Sequence, residues 1–338
     1  MHSMINRSDA LKDRAVVAVV IGRNEGTRLK VCLASVVNLN LVQTVVYVDS
    51  GSSDGSADYA RALGCEVVDL DMSIPFTAAR ARNAGFAHAV ACKPDLAHVQ
   101  FLDGDCELLP DWLTAGQSAL QSSPQVAAVC GRLRERFPQK SIYNQMCDIE
   151  WNTPVGEAKA CGGIALFRVE AFAASTGFLE TLIAGEEPEL CIRLRSAGWK
   201  ILRIDQDMAL HDAAMVHFRQ WWSRSKRAGY AFAEGASLHG RPPERHWVRE
   251  SRSAWLWGAG IPVLVIALSV FLSPWALGFL LVYPLQMLRI YRKVYRSLPL
   301  AGWYAALQVV GKLPEALGQC KFLLNQMLGK RAALIEYK

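Results

Sequence analysis

The stretch Phe101-Leu102-Asp103-Gly104-Asp105 ends an apolar run, Ala97 to Leu102, that is typical of a buried strand. Gly104 lets the backbone turn without a Cβ, so Asp103 and Asp105 can leave the strand end close together. Two close carboxylates repel each other, and a divalent cation relieves that repulsion in a dry cleft. Oxygen ligands on a turn suit Mg²⁺ or Mn²⁺. A solvated acidic turn is the alternative for this stretch taken alone.

Apolar strand patterns alternate with helical patterns through the first hundred residues. The alternation predicts an α/β fold with a mostly parallel sheet, which binds ligands at the carboxyl ends of its strands. Three of the first four predicted strands end in polar turns, which favours a binding site there. The predicted strands are Val16 to Ile21, Thr44 to Val48, Cys65 to Leu70 and Ala97 to Leu102, with a helix from Phe76 to Ala91 before the last.

Further candidates lie in the second half of the chain. Gly162 and Gly163, in a predicted strand, permit close approach of the backbone to a ligand. Glu187 lies at or near the start of a predicted helix, where the helix dipole favours the ionised form that a proton acceptor needs. A plain capping carboxylate is the alternative. His211, after a strand predicted from Trp199 to Ile204, is either a third metal ligand or a polar surface residue.

Bulk properties and missing motifs exclude several classes. Lys and Arg number 37 against 31 Asp and Glu, and this mild excess of +6 does not indicate nucleic-acid binding. The turn after the first strand reads Gly22-Arg23-Asn24-Glu25-Gly26, which is neither a dinucleotide-binding fingerprint nor a P-loop. The nine cysteines are scattered without a CxxC pair, which indicates reduced core residues in the cytoplasm.

The ordered set of motifs resembles the family 2 glycosyltransferases with the GT-A fold, over roughly residues 15 to 235. The resemblance implies nucleotide-sugar binding by the first motifs, and names Asp49 as the residue that reads the nucleotide base. The motifs are Arg23-Asn24-Glu25, Asp49-Ser50-Gly51-Ser52-Ser53-Asp54-Gly55, Arg82-Asn83, Asp103-Gly104-Asp105, Gly162-Gly163 and Gly185-Glu186-Glu187-Pro188-Glu189-Leu190.

The same resemblance implies a divalent metal on Asp103 and Asp105 and a base within the acidic pair Glu186-Glu187. The base is assigned to Glu187, with Glu186 as the alternative, because the family commonly has Glu-Asp at this pair. The processive polymer synthases carry Gln-x-x-Arg-Trp, whereas Gln220 to Arg224 has a different spacing. We therefore expect a non-processive enzyme that inverts the anomeric centre in cell-surface glycan or polysaccharide synthesis. A sugar-nucleotide-binding protein without turnover, a nucleotidyltransferase and a membrane scaffold remain as alternatives.

The C-terminal third has the composition of a membrane anchor. Residues 255–288 contain no charged residue, Pro274 divides them, and basic residues flank both ends. We expect a hydrophobic hairpin there and an amphipathic interfacial helix over about 300–328. The predicted organisation is a tail at 1–14, a catalytic domain at 15–240 and membrane-associated helices at 241–338. The expected place is the cytoplasmic face of a bacterial inner membrane, with a lipid or lipid-linked acceptor.

Overall fold

The computed structural model describes residues 15–330 and Ile335, so the tail predicted at 1–14 lies outside the described residues. The chain divides into two compact units. The first comprises the described parts of Met1–Pro138 with Cys147–Ala213, and the second Gln139–Met146 with the described parts of Ala214–Lys338. A catalytic domain that folds independently up to residue 240 stays a prediction.

The first unit is built on one sheet that, among the described residues, has nine strands. They are β1 Val16–Gly22, β2 Val42–Asp49, β3 Glu66–Asp69, β4 His98–Asp103, β5 Cys106–Leu108, β6 Val126–Glu135, β7 Gly156–Ala158, β8 Ala165–Arg168 and β9 Lys200–His211. The helices up to this point are α1 Thr27–Val37, α2 Ser56–Ala62, α3 Ala78–Cys92, α4 Trp112–Ser122, α5 Ile142–Glu150, α6 Val169–Ala174 and α7 Glu186–Ser196.

The sheet order is β3-β2-β1-β4-β8-β6-β9-β5, with β7 paired to β9. Strands β1 to β4 are parallel, as predicted, and the run Val16 to Val20 of β1 is fully buried. Beyond β4 the sheet is mixed, because β8 runs antiparallel to both β4 and β6, whereas β6 and β9 are parallel. Ala165 pairs with Phe101, so β8 begins beside the carboxyl end of β4. The glycine pair that precedes β8 is thereby brought to the Asp103 turn.

Strand β9 is longer than the sequence indicated. The predicted strand ended at Ile204, but β9 continues to His211 and pairs with β5, where Cys106 lies opposite His211. The extension was missed because polar residues interrupt the apolar pattern after Ile204. This extension places His211 opposite Cys106, the residue that follows Asp105.

The second unit is helical. Besides the first part of α5, its elements are α8 Phe218–His239, α9 Val248–Trp255, a π-helical turn Leu256–Gly260, α10 Ile261–Phe271, a 3₁₀ segment Pro274–Leu281, α11 Val282–Val294, α12 Ala301–Val310 and α13 Lys312–Met327. Val248–Phe271 forms one helix that is long and apolar enough to cross a membrane by length and composition, and only 11% of its apolar window is buried. The helix breaks before Pro274, where the Ser273 hydroxyl accepts a bond from the Trp275 N–H. A second apolar segment follows, so the break falls where the sequence predicted it.

Glycines let the helices of this unit pack closely. A Cβ at Gly229 would collide with the backbone of Glu315, and one at Gly318 would collide with the backbone of Lys226. Helices α8 and α13 therefore approach backbone to backbone. The interfacial segment expected at about 300–328 is accordingly two helices, with one face buried, for example at Phe322, and Leu317 exposed on another.

Candidate active site

The turns after β1 and β2 are bound to each other. Asn24, at a φ of 54°, accepts a bond from the Ser53 N–H at 2.8 Å and donates its own N–H to the Ser52 hydroxyl at 3.0 Å. The Gly26 N–H donates to the Asp54 carboxylate at 2.9 Å. Hydrogen bonds from Ser56, helped by those from the backbone, hold the pKa of Asp54 below its usual range. The turn with Arg23-Asn24-Glu25 and the turn with the Asp49 motif thus form one wall of the candidate site.

Asp49 lies at the back of this wall and is 5% exposed. Its carboxylate accepts bonds from the N–H groups of Gly51 at 3.0 Å and Ser52 at 2.7 Å, and from the Tyr47 hydroxyl at 3.0 Å. Burial, together with the Asp49 charge, raises the pKa of Tyr47, so the phenol stays a donor. In front of Asp49 is a cavity of about 420 Å³, lined by Asp49, Gly51, Ser52, Ser53, Gly55, Ala57, Asp58, Asp69 and Leu70.

The other two residues of the motif Arg23-Asn24-Glu25 contact side chains close to them. Glu25 forms an ion pair with Arg28 at 2.7 Å. The Arg23 guanidinium lies over the Phe76 ring, 4.7 Å from its centroid. Asn83 also has a local role, because its side-chain amide donates to the Phe178 carbonyl at 2.8 Å and accepts from the Phe178 N–H at 2.9 Å. These bonds fix the loop before α7.

Arg82, on α3, joins two of the predicted acidic motifs. Its guanidinium donates to Asp103 and to Glu186, each at 2.7 Å, although the side chain is only 3% exposed. Burial by itself lowers the pKa of Arg82, but the charges of Asp103 and Glu186 outweigh burial and the net shift is upward. A Cβ at Gly163 would lie 2.5 Å from the guanidinium, so the absence of a side chain there makes room for it. Gly162 precedes it at a φ of 82°.

The second aspartate of the turn pairs with the predicted histidine. Asp105 Oδ2 lies 3.2 Å from His211 Nε2, and the Asp105 side chain is 4% exposed. The Asp103 side chain is 34% exposed, so the turn presents one open and one buried carboxylate. Carboxylate oxygens with an imidazole nitrogen suit Mn²⁺ or Mg²⁺. Asp105, Cys106 and His211 each offer a ligand atom within 4.8 Å of the others, so this group could hold a divalent cation, and Asp103 is not part of it.

The two glutamates at the start of α7 face different surroundings. Glu187 is 4% exposed, and its Oε1 accepts bonds from the Cys161 N–H at 2.6 Å and from the thiols of Cys161 at 3.1 Å and Cys191 at 2.9 Å. Burial raises the pKa of both thiols, that of Cys191 to about 11, so both remain donors. Glu186 instead binds Arg82. The sequence ranked Glu187 first as the proton acceptor, but the Glu186 carboxylate is the one joined to the Asp103 turn.

Sequence reasoning missed Tyr47, Trp151, Cys161 and Cys191. The spacing of Glu187 and Cys191, one helical turn apart, was a usable signal for a bond within α7. Trp151 carried no sequence signal. Its ring lies 4.6 Å from the His211 ring, measured between centroids.

Known proteins are similar to this chain in sequence and in fold. Residues 17–174 match the sequence profile of the family described as Glycosyl transferase family 2. These residues form a family 2 glycosyltransferase domain. Beyond the match, the mixed sheet of the glycosyltransferase domain continues to His211.

Two curated relatives of the glycosyltransferase domain are similar over part of the chain. The succinoglycan biosynthesis protein ExoA of Rhizobium meliloti is 29% identical over 212 residues, covering 59% of this chain and 63% of that protein. The glycosyltransferase AglE of Haloferax volcanii is 24% identical over 201 residues, covering 56% of this chain and 64% of that protein. The matches thus span less than two thirds of the length of either relative.

A solved structure supports the fold. The mannosyltransferase PcManGT of Pyrobaculum calidifontis, solved with GDP-Man and Mn²⁺, superposes with a TM-score of 0.62 at 17% identity. The superposition covers 90% of this chain and 86% of that one. The chain therefore has the GT-A fold that the sequence predicted.

Proposed function

We propose that the protein transfers a sugar from a nucleoside-diphosphate sugar to a hydroxyl group of an acceptor, with inversion at the anomeric carbon. One observation carries the proposal: the Arg82 guanidinium forms ion pairs with both Asp103 and Glu186. The acidic turn proposed to bind a metal and the carboxylate proposed as the base therefore lie on the same arginine. A protein that only bound nucleotide sugars would not need the second carboxylate there.

On this proposal the donor lies across the carboxyl ends of β1, β2 and β4. The cavity in front of Asp49 receives the nucleoside, with Asp49 reading the base and the turn containing Asn24 and Asp54 beside it. The GDP-Man in the PcManGT structure supports a nucleotide-sugar donor for a fold of this kind. The match to ExoA supports a place in polysaccharide or glycan synthesis.

We assign Asp103, Asp105 and His211 to a divalent cation, Mn²⁺ or Mg²⁺. Such a cation supplies Lewis-acid stabilisation of the negative charge that develops on the leaving diphosphate. Arg82 sits beside the open carboxylate of Asp103 and adds a fixed positive charge, which a planar guanidinium can share with phosphate oxygens. The buried bond between Asp105 and His211 orients the imidazole.

For the base we favour Glu186. Its carboxylate is 14% exposed and joined to Arg82, whereas Glu187 is enclosed by Cys161 and Cys191. A base must come within hydrogen-bond reach of the acceptor hydroxyl to take its proton. Glu187 is then the positioning residue that secures the start of α7. One displacement on the face opposite the leaving group inverts the anomeric centre.

We further propose that the acceptor is lipid-linked or close to a membrane. The support is the exposed apolar surface of the second unit, where Val263, Val270, Phe271 and Trp275 are 65 to 91% exposed. One membrane-length helix is limited support by itself. The second apolar segment beyond Pro274 and the basic residues at both flanks add to it, since they suit a hairpin with both ends on the cytoplasmic face.

A donor panel tests the function. Purified protein with Mn²⁺ is screened against UDP-, GDP-, dTDP- and CMP-sugars, by thermal shift and then by release of the nucleotide. We expect one nucleotide class to stabilise the protein and to be turned over, with EDTA abolishing turnover. Binding without any turnover, in the presence of membrane lipid extract as acceptor source, would favour the binding-protein alternative. Release of pyrophosphate from a nucleoside triphosphate and a sugar phosphate would favour a nucleotidyltransferase.

A further inference from the structure

We propose that Trp151 is a stacking platform for a sugar ring next to the Asp105–His211 pair. The inference rests on the proposed function, because it names a surface on which one of the two sugars of that reaction lies. The sugar belongs either to the donor or to the acceptor, and both offer the same chemistry to an aromatic ring.

The geometry places Trp151 at the predicted metal side of the cleft. The indole follows α5, and its centroid lies 4.6 Å from that of the His211 ring, with the ring planes at 53°. His211 in turn binds Asp105 through Nε2 at 3.2 Å. Only one side chain therefore separates Trp151 from the acidic turn. The backbone is fixed as well, since the Trp151 N–H donates to the Cys147 carbonyl at 3.0 Å.

The environment of this indole differs from that of a structural tryptophan. Trp112 is fully buried, and its Nε1–H donates to Gln100 Oε1 at 2.7 Å. Trp151 is only partly buried. The N–H of a buried tryptophan usually has a hydrogen-bond partner within the protein. A tryptophan with one edge exposed to solvent is typical of recognition surfaces. The residues that follow, Asn152 and Thr153, are exposed and polar.

These features match the chemistry of a pyranose. A sugar ring has an apolar face of C–H groups and a rim of hydroxyls, so it binds best to an aromatic surface with hydrogen-bonding groups at its edge. Trp151 provides the surface and an N–H donor, and Asn152 and Thr153 provide further polar groups. Such sites combine an apolar contact area with a few polar groups that fix orientation.

The test compares ligands that differ only by the sugar. Affinities for the nucleotide sugar that binds in the donor panel, and for its own nucleoside diphosphate, are measured calorimetrically with Mn²⁺. For GDP-mannose the matched ligand is GDP, and for UDP-glucose it is UDP. The variants are Trp151→Ala and Trp151→Phe, and the control is Trp199→Ala, a partly buried tryptophan just before the opposite end of β9.

If the platform holds the donor sugar, Trp151→Ala lowers affinity for the nucleotide sugar about 3- to 10-fold and leaves the nucleoside diphosphate unchanged. If it holds the acceptor sugar, both affinities and hydrolysis of the donor by water stay unchanged, but KM for an alkyl glycoside acceptor rises by a similar factor. Trp151→Phe recovers most of the loss in either case, and Trp199→Ala produces neither pattern.

Two results would overturn the platform. One is an equal loss of affinity for nucleotide sugar and nucleoside diphosphate, which would mean that Trp151 only packs on His211. The other is no change in either affinity or in the glycoside KM. A wild-type protein that binds no nucleotide sugar would instead overturn the proposed function, and this inference with it.

Discussion

The main-chain N–H of Cys161 donates to Oε1 of Glu187 at 2.6 Å, and this bond distinguishes two carboxylates that are adjacent in sequence. With the thiols of Cys161 and Cys191 also donating to that oxygen, Glu187 is held inside the protein. Glu186, one residue earlier, is held by Arg82 at the acidic turn. The start of α7 thus has one glutamate for anchoring and one for the cleft.

This division predicts different outcomes for two matched variants. Glu186→Gln removes proton affinity at the cleft, so we expect kcat to fall by about 10²- to 10⁴-fold while donor affinity is retained. Glu187→Gln keeps an acceptor oxygen for Cys161, so we expect kcat within about tenfold of wild type and a lower Tm. Steady-state kinetics with donor-binding measurements decide between them. A dead Glu187→Gln beside an active Glu186→Gln would exchange the two roles.

The acidic turn predicts a charge-dependent metal requirement. Asp103→Asn and Asp105→Asn should each lower turnover by orders of magnitude, because each removes a negative charge from the proposed cation site. Circular dichroism should show the fold retained for Asp103→Asn, whose side chain is partly exposed. EDTA should abolish activity, and Mn²⁺ or Mg²⁺ should restore it. Undiminished turnover in EDTA would remove the metal from the mechanism.

The close approach at Gly163 predicts a steric effect on Arg82. In Gly163→Ala the new Cβ would lie 2.5 Å from the guanidinium, which must then move away from Asp103 or Glu186. We expect a loss of kcat of at least about tenfold, with little change in Tm because the end of a side chain can shift. Gly302→Ala, at a position with open space, is the matched control. Equal activity of both variants would show that the position of Arg82 is not critical.

A buried carboxylate in the second unit predicts a pH dependence of stability. Burial raises the pKa of Glu234 to about 7 from its usual 4.5, and its Oε2 has no hydrogen-bond partner among the described residues. The folded state therefore keeps a proton that the unfolded chain releases between these values, so the free energy of unfolding falls as pH rises from 4.5 to about 7. Glu234→Gln should flatten this slope and add about 1–3 kcal/mol at pH 8.

Thermal unfolding in detergent across pH 4.5 to 8 checks the Glu234 prediction, with the exposed Glu170→Gln as control. A slope that survives in Glu234→Gln would assign the pH dependence to another group.

The proposed apolar hairpin predicts membrane binding that added charge can remove. Val263 and Val270 are 65% and 71% exposed on the long helix. Replacing both with arginine should shift the protein from the membrane pellet to the soluble fraction, since each arginine costs about 2.5–3.5 kcal/mol in a membrane centre. Val155→Arg, at a 57% exposed position of the first unit, should leave the distribution unchanged. Full-length wild-type protein in the soluble fraction without detergent would contradict the anchor.

The sequence predicted the part of the fold that local patterns encode. Val16 to Ile21 and Ala97 to Leu102 were predicted as buried strands because both faces of the parallel sheet are covered, which leaves a largely apolar run. Strands β5 and β7 have only three residues each, too few for any periodicity to appear. The antiparallel direction of β8 depends on pairing between Phe101 and Ala165, which no local pattern contains.

The candidate site was predictable as a list of residues but not as an arrangement. The resemblance named Arg82, Asp103, Glu186 and Gly163 separately, and their meeting is a property of the sheet order. That Glu187 faces Cys161 while Glu186 faces Arg82 depends on the rotation of α7 and on where Cys161 enters the core. Side-chain directions of this kind follow from packing, which a single sequence does not display.

The bridge made by Arg82 also affects the order in which the molecule can be assembled. Arg82 and Asp103 are 21 residues apart, but Arg82 and Glu186 are separated by 104. During synthesis the acidic turn and its arginine can come together well before the second glutamate leaves the ribosome. The contact between Arg82 and Glu186 is therefore a late, long-range one. The loop-closure entropy that opposes it is offset only when most of the first unit has folded.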